Sequence, residues 1–175
     1  MASLDSIMKP RSIAVVGAST KPNTIGSDLL KRLIEYGFTG KIYPVNPKGG
    51  VIEGLTAYPS VLDIPGDVDL AIIVVKNTFV LSTIDQCHEK GITGLVVISA
   101  GFKETDEAGA ALEKELAAKV KAYGMRCVGP NCLGVVNTDP AVRMDGCFAE
   151  SLPQSGDIGF VSQSGALGGG ILNIL

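Results

Sequence analysis

The sequence predicts an α/β fold: a mostly parallel sheet with helices packed on both of its faces. Three observations predict it. Short apolar runs of strand length alternate with longer amphipathic stretches from Arg11 to Val128. The short runs are apolar throughout rather than every second residue, as strands covered on both faces require. Glycines punctuate the pattern, with Gly17 after the first run and Gly37, Gly91 and Gly124 after the amphipathic stretches.

The elements follow in order. Residues 11–17 read Arg-Ser-Ile-Ala-Val-Val-Gly, a buried strand and a turn. Over 25–36, Ile25, Leu29, Leu30, Leu33 and Ile34 fall on one helix face, with Gly37 as its stop. Residues 41–46 form a second strand, and Pro44 places it near a sheet edge or ends it early. Tyr58-Pro59-Ser60 and Ile64-Pro65-Gly66 are turn-rich and flank a short helix and strand. Residues 69–76 carry the strongest central-strand pattern, Leu70-Ala71-Ile72-Ile73-Val74-Val75. A helix follows over 78–90, with Thr78 as its N-cap and Gly91 as its stop. Residues 94–99 are another strand. Residues 105–123 are a long helix opened by Asp106 and Glu107 at its positive end and stopped at Gly124. Residues 125–128 are a last short strand.

Beyond that point the pattern changes. Residues 129–156 are rich in Gly, Pro, Asn and Asp without a clear period, and read as a linker wrapping the domain. Residues 157–161 look like a fresh strand, followed by Ser162-Gln163-Ser164-Gly165 and a helical start. The expected organisation is a nucleotide-binding domain over 1–135, a linker over 136–156, and over 157–175 the truncated start of a second α/β domain.

Bulk properties exclude several function classes. The 175 residues are 46% hydrophobic and 19% charged, as a compact rather than disordered chain requires. A net charge of −3 and a pI near 5.1 argue against a general nucleic-acid binder, which needs a basic face. The longest apolar runs, such as 70–75, are far below the roughly 20 residues that span a bilayer. The start Met1-Ala2-Ser3-Leu4-Asp5 lacks a signal pattern, so a cytoplasmic location is expected. Cys87, Cys127, Cys132 and Cys147 form no dense pairing framework. With no C-x-x-C pair and one histidine in the chain, no metal site is expected, and buried free thiols are.

The chemistry lies in the loops that follow the strands. The first strand delivers Gly17-Ala18-Ser19-Thr20-Lys21-Pro22-Asn23-Thr24-Ile25-Gly26. Gly17 permits a sharp turn, and the main-chain N–H groups and helix N-terminus after it favour a phosphate, with Ser19 and Thr20 as further donors. The dinucleotide fingerprint G-x-G-x-x-G is absent, because position 19 is Ser, position 22 is Pro and the next glycine is Gly26. That counts against an ordinary NAD site and leaves a plain tight turn as the alternative. At the end of the second strand a NAD enzyme places an acid on the ribose diol. Here stand Asn46-Pro47-Lys48. A lysine cannot accept those hydrogen bonds, but it can meet a phosphate on the ribose, which NADP and coenzyme A both carry; a solvated surface turn is the alternative. Two more loops, Val75-Lys76-Asn77-Thr78 and Ser99-Ala100-Gly101-Phe102-Lys103, also lie at strand C-termini, where such sheets bind ligands. His88, near a helix C-terminus, suits the helix dipole better than catalysis. Ser164 fails the G-x-S-x-G elbow pattern and has no histidine partner.

Gly17-Ala18-Ser19 with Gly26, then Asn46-Pro47-Lys48, Ser99-Ala100-Gly101-Phe102 and Gly129-Pro130-Asn131-Cys132-Leu133-Gly134 occur in this order. Together they resemble the Rossmann-like CoA-binding domain of the NDP-forming acyl-CoA synthetases. That family includes ADP-forming acetate–CoA ligase and is similar to the α subunit of succinyl-CoA synthetase. The resemblance implies a ligase making acyl-CoA from a small carboxylic acid, ATP and CoA through an acyl phosphate and a phosphohistidine. It implies that Ser19, Thr20 and Lys48 contact CoA phosphates, that Val75, Lys76, Asn77, Ser99, Ala100 and Gly101 hold the rest of CoA, and that Asn131 closes the domain beside the thiol. It implies that Ser162, Ser164 and Gly165 begin a flavodoxin-like second domain whose helix N-terminus docks the phosphohistidine. ATP or ADP, Mg, the catalytic histidine and an ATP-grasp domain or subunit belong to a full-length parent, which can be a homo- or hetero-oligomer. The chain carries no catalytic residue by this resemblance. A CoA-sensing regulatory domain of a protein acetyltransferase and an NADP-binding oxidoreductase domain are the alternatives.

Overall fold

The computed structural model describes residues 3–149, 151–172 and 174. After a short helix α1 (Asp5–Met8), the core runs β1 (Ser12–Val16), α2 (Ile25–Glu35), β2 (Lys41–Val45), a hairpin β3 (Gly50–Ile52) and β4 (Leu55–Ala57), a 3-10 turn at Val61–Asp63, β5 (Leu70–Ile73), α3 (Asn77–Lys90), β6 (Gly94–Val97), α4 (Glu107–Ala122) and β7 (Arg126–Val128). A second hairpin, β8 (Gly134–Asn137) and β9 (Met144–Cys147), and a helix α5 (Gly165–Leu172) follow.

Five strands pair in parallel in the order β2-β1-β5-β6-β7. Every residue of β1, β5 and β6 is buried, as expected for apolar runs covered on both faces. On one face, Val80, Ile84 and Cys87 of α3 and Leu116 of α4 pack against Ala14, Ala71, Ile73, Leu95 and Val97. On the other, Leu29, Leu30 and Leu33 of α2 join Ile7, Ile13, Val15, Ile72 and Val96, with Val142 and Met144. The sheet is therefore the doubly covered α/β layer that the sequence predicts. Pro44 lies opposite Val15 in β2, an edge strand, where a residue without an N–H is tolerated.

Several expectations are corrected. Thr78 is not the N-cap of α3: the helix starts one residue earlier at Asn77, with Lys76 at the cap position and no side-chain cap bond. The stretch 129–156 is more than a linker. It holds the β8–β9 hairpin, whose β9 is fully buried and packs on α2. Its short strands are broken by Asp and Gly (Met144-Asp145-Gly146-Cys147), so no period of two shows in the sequence. The predicted strand at 157–161 is not formed among the described residues. No strand pairs with it, and Ile158 and Val161 are 86% and 98% exposed, whereas a strand needs a ladder partner for its main chain. Asn173 and Leu175, at the end of the predicted second domain, lie outside the described residues. Among those described, no helix is long and apolar enough to cross a membrane.

Candidate functional site

The connection from β1 leads to β2 on one side, while β5 takes the other side, so the strand order reverses at the carboxyl ends of β1 and β5. Open parallel sheets leave a crevice at such a reversal. Gly17 stands there. Its N–H donates to the Val45 carbonyl at 3.0 Å and its φ is 101°, a left-handed backbone that suits glycine. The start of α2 presses directly on this turn: a Cβ added to Gly26 would lie 2.1 Å from the Gly17 carbonyl oxygen. Gly26 thus lets the helix N-terminus close onto the strand end, the role of close helix–strand contact that the absent fingerprint's last glycine plays. Thr24 caps α2 by accepting from the Ser27 N–H. Ser19 accepts from the Lys21 N–H at 3.0 Å, and Thr20 is exposed.

Asn46 joins this turn to the loop that carries Lys48. Its carboxamide donates to the Ala18 carbonyl at 2.8 Å and accepts from the Lys48 N–H at 2.9 Å, while its own N–H donates to the Tyr58 carbonyl. Lys48 is exposed in the loop that follows β2. Among the described residues, no carboxylate lies within 4 Å of the ammonium of Lys21, Lys48 or Lys76. Each of the three loops that follow β1, β2 and β5 therefore offers a cation, although the whole chain is acidic.

The remaining predicted loops are tied to one another. Ser99 donates from Oγ to the Val75 carbonyl at 2.5 Å, and its own carbonyl accepts from the Asn131 N–H at 3.0 Å. Asn77 donates from Nδ2 to the Gly101 carbonyl at 2.6 Å. Val75, Lys76, Asn77, Ser99, Ala100, Gly101 and Asn131 thus belong to one connected rim. Asn46, Asn77 and Ser99 spend their polar atoms on main-chain partners, so they build the rim rather than project from it. Glu104, which the sequence does not single out, accepts from the N–H groups of Gly101 at 2.6 Å and Phe102 at 3.1 Å. Desolvation pushes its carboxyl up, but the N–H groups of Gly101, Glu104 and Phe102 and the charge of Lys103 outweigh it and hold it below the ordinary range.

Asn131 also reaches a second cavity of about 570 Å³, with Cys132, Leu133, Phe148 and Ala149 on one wall and Gln163, Gly165 and Ala166 on the other. Gly165 is therefore brought to the same cavity as Asn131. Ser162 and Ser164 are turned to local structure: Ser164 Oγ accepts from the Leu167 N–H at 3.3 Å and caps α5, and Ser162 Oγ accepts from the Ser164 N–H. Gln163, missed in the sequence, lines the cavity between them. Burial pushes the Cys132 thiol up to about 11, partly offset by the N–H groups of Gly134 and Cys132. His88 lies in the last turn of α3, away from the carboxyl edge, and stacks on Tyr123 with ring centroids 4.0 Å apart. Among the described residues, no group of three or more His, Cys, Asp or Glu could hold a metal ion.

The profile of the family described as the CoA binding domain matches residues 11–138, which takes in β1 through β8 and the whole rim. The chain belongs to the CoA-binding domain family. This CoA-binding domain is 48% identical over 169 residues to the alpha subunit of acetate–CoA ligase (ADP-forming) II of Pyrococcus furiosus, covering 97% of this chain and 36% of that subunit. It is 45% identical over 161 residues to 4-hydroxybutyrate–CoA ligase (ADP-forming) of Nitrosopumilus maritimus, covering 92% of this chain and 23% of that enzyme. Among solved structures it superimposes on dinucleotide forming acetyl-coenzyme A synthetase 1 of Ca. Korarchaeum cryptofilum, in complex with phosphate and ADP. That match has a TM-score of 0.92 and 43% identity, and covers 99% of this chain and 37% of that one. The chain thus spans about a third or less of the length of these relatives.

Proposed function

We propose that the chain holds coenzyme A at the carboxyl edge of its sheet and serves as the CoA-binding part of an ADP-forming acid–thiol ligase. Such a ligase converts a carboxylic acid, ATP and CoA into acyl-CoA, ADP and phosphate. The observation that carries the reading is the Asn46 link, which fixes the Lys48 loop to the Gly17 turn. A pyrophosphate fits at the Gly17 turn, where the N-terminus of α2 supplies N–H donors and a favourable dipole. Lys48, exposed and without an acidic partner among the described residues, fits a ribose phosphate one loop away. Lys21 and Lys76 add positive charge beside the same crevice, which suits a ligand with several phosphate charges.

The residues present fit CoA in a second respect. The rim continues from Val75 through Ser99 to Asn131, so an extended ligand can run from the nucleotide end at Lys48 towards the cavity between Asn131 and Gly165. In this reading that cavity takes the reacting end, and Gly165 at the start of α5 favours an anionic group there. Ser162 and Ser164 set the entry to that helix. The division into a CoA-binding unit over 1–135, a connecting segment over 136–156 and the start of a second unit over 157–175 belongs to the same proposal. So do an ATP-grasp domain or subunit as partner, ATP and Mg as its ligands, and a cytoplasmic setting.

The test is a calorimetric titration of the chain with CoA and, separately, with NADPH. The reading expects saturable CoA binding that raises Tm, and no change in nicotinamide fluorescence. Binding of NADPH in preference to CoA overturns it in favour of an oxidoreductase domain.

A further inference from the structure

The first turn of α3 carries an aromatic side chain that the fold does not bury. Phe79 is 58% exposed, while Val80 and Ile84 of the same helix are fully buried. Its main chain is fixed. The Phe79 N–H donates to the Lys76 carbonyl at 2.9 Å, and its carbonyl accepts from Ser82 Oγ at 2.9 Å and Thr83 Oγ1 at 2.8 Å. The ring is therefore presented by a rigid turn, at the helix N-terminus beside the β1–β5 reversal.

Helix geometry says which way it looks. Residues 79 and 86 are seven apart and lie on one flank of α3. At the far end of that flank, Gln86 accepts a hydrogen bond from Ser60 Oγ at 3.2 Å, and the 3-10 turn at Val61–Asp63 packs against the helix. The opposite flank, with Asp85 and His88, meets Lys119 and Tyr123 of α4. The Phe79 flank thus faces the 58–60 segment. Tyr58 in turn bridges Val45 and accepts from the Asn46 N–H, and Pro59 Cγ is 3.9 Å from where a Cβ on Gly49 would lie. Phe79 stands at the amino end of this flank, at the carboxyl edge of the sheet, the edge at which the loop after β2 makes the shelf that carries Lys48.

We propose that Phe79 is the stacking face for the adenine ring of the ligand, and so a specificity-determining residue of the CoA site. The proposal rests on the CoA reading above. In that ligand the adenine is joined to the phosphorylated ribose, so a ribose phosphate at Lys48 brings the base to the same shelf. A purine offers a flat π face, and an aromatic ring with a fixed main chain can stack on it at low entropic cost. No hydrogen-bond code is needed, because the selection is for a flat base attached to a 3′-phosphorylated ribose.

The experiment uses the chain itself and two probes, CoA and adenosine 3′,5′-bisphosphate, with the variants Phe79→Ala and Phe79→Trp. Circular dichroism checks that both variants fold, as the exposure of Phe79 predicts. Phe79→Ala is expected to weaken both probes about 5- to 100-fold, the range for losing one base–aromatic stack, and Phe79→Trp to restore binding. A 1,N6-ethenoadenine analogue of CoA is expected to be quenched by the wild type and the Trp variant but not by the Ala variant, a signal that a purely structural role for Phe79 does not produce. Unchanged affinity of Phe79→Ala for both probes, or quenching that survives it, overturns the proposal while leaving CoA binding intact. If the wild type binds neither probe, the CoA reading fails first and this proposal with it.

Discussion

The carboxamide of Asn46 donates to the carbonyl of Ala18 at 2.8 Å and thereby ties the second strand's loop to the first strand's turn. Its other end accepts from the Lys48 N–H. One side chain therefore ties the Gly17 turn to the loop of Lys48. Asn46→Ala removes both bonds, each worth about 1 kcal/mol net. The expected result is a loss of about 1–2 kcal/mol in a denaturant titration and weaker CoA binding, with Lys48 still present.

The Gly17–Gly26 contact makes a sharper prediction. A Cβ at residue 26 would meet the Gly17 carbonyl oxygen at 2.1 Å, so the helix must move away from the strand end. Gly26→Ala is expected to destabilise the fold by several kcal/mol, as strain at a packed backbone contact does, and to abolish CoA binding. Gly169→Ala in α5 is the matched control, since a Cβ there meets nothing within 4 Å. It is expected to be neutral or to stabilise by up to about 1 kcal/mol.

How far the sequence reached depends on whether a feature is local. The strands β1, β5 and β6 were legible because each is an unbroken apolar run, and their ends marked Gly17, Val75 and Ser99 directly. The hairpins at Gly50–Ala57 and Gly134–Cys147 were not, because their strands are three or four residues long and three of the four contain a glycine, so pairing rather than composition defines them. Residues 157–161 failed the other way, having strand composition without a partner. The place of Lys48 in the loop after β2 was legible from the strand that precedes it. The bonds of Asn46 to Ala18, of Asn77 to Gly101 and of Glu104 to Gly101, and the position of Gln163 in the cavity, depend on which loops fold together, and no spacing in the chain encodes them.

Arg32 and Asp145 anchor the second hairpin to α2 through an ion pair of 2.8 Å, with the Asp145 side chain fully buried. Breaking one half of such a pair leaves a buried charge. Arg32→Leu is expected to cost about 3–5 kcal/mol in thermal or denaturant unfolding. Burial raises the Asp145 carboxyl above its ordinary value, and the bonds from Cys147 and Arg32 only partly offset this. A raised acid binds its proton more tightly when folded, so its contribution to stability is greatest below the unfolded pKa, about 4, and falls as pH rises through the folded value. In Asp145→Asn that slope should vanish from the stability–pH curve.

Asp85 predicts the opposite sign. Hydrogen bonds from Lys119 and Tyr123 hold its carboxyl below the ordinary range. Its stabilising contribution is present above the unfolded pKa and is lost as pH falls through the folded value. The side chain is 45% exposed, so the effect is a small one. Asp85→Asn should be slightly less stable than the wild type at pH 7 and equal to it at acid pH, as read by Tm.

The four thiols should be unreactive. Burial pushes Cys87, Cys127 and Cys147 up to about 12 and Cys132 to about 11, so little thiolate exists near neutral pH. Iodoacetamide at pH 8 is expected to label the native chain slowly, with Cys132 first, and all four rapidly after unfolding, as read by peptide mass spectrometry. Fast labelling of native Cys87 would contradict the buried packing of α3.

The most direct measurement of the central claim is the ratio of dissociation constants for dephospho-CoA and CoA, in the wild type and in Lys48→Ala, by titration calorimetry at fixed salt. A charge-assisted contact between Lys48 and the 3′-phosphate predicts a wild-type ratio of about ten to a hundred, collapsing towards one in the variant. Equal affinity of the wild type for the two ligands would contradict the placing of the ribose phosphate at Lys48.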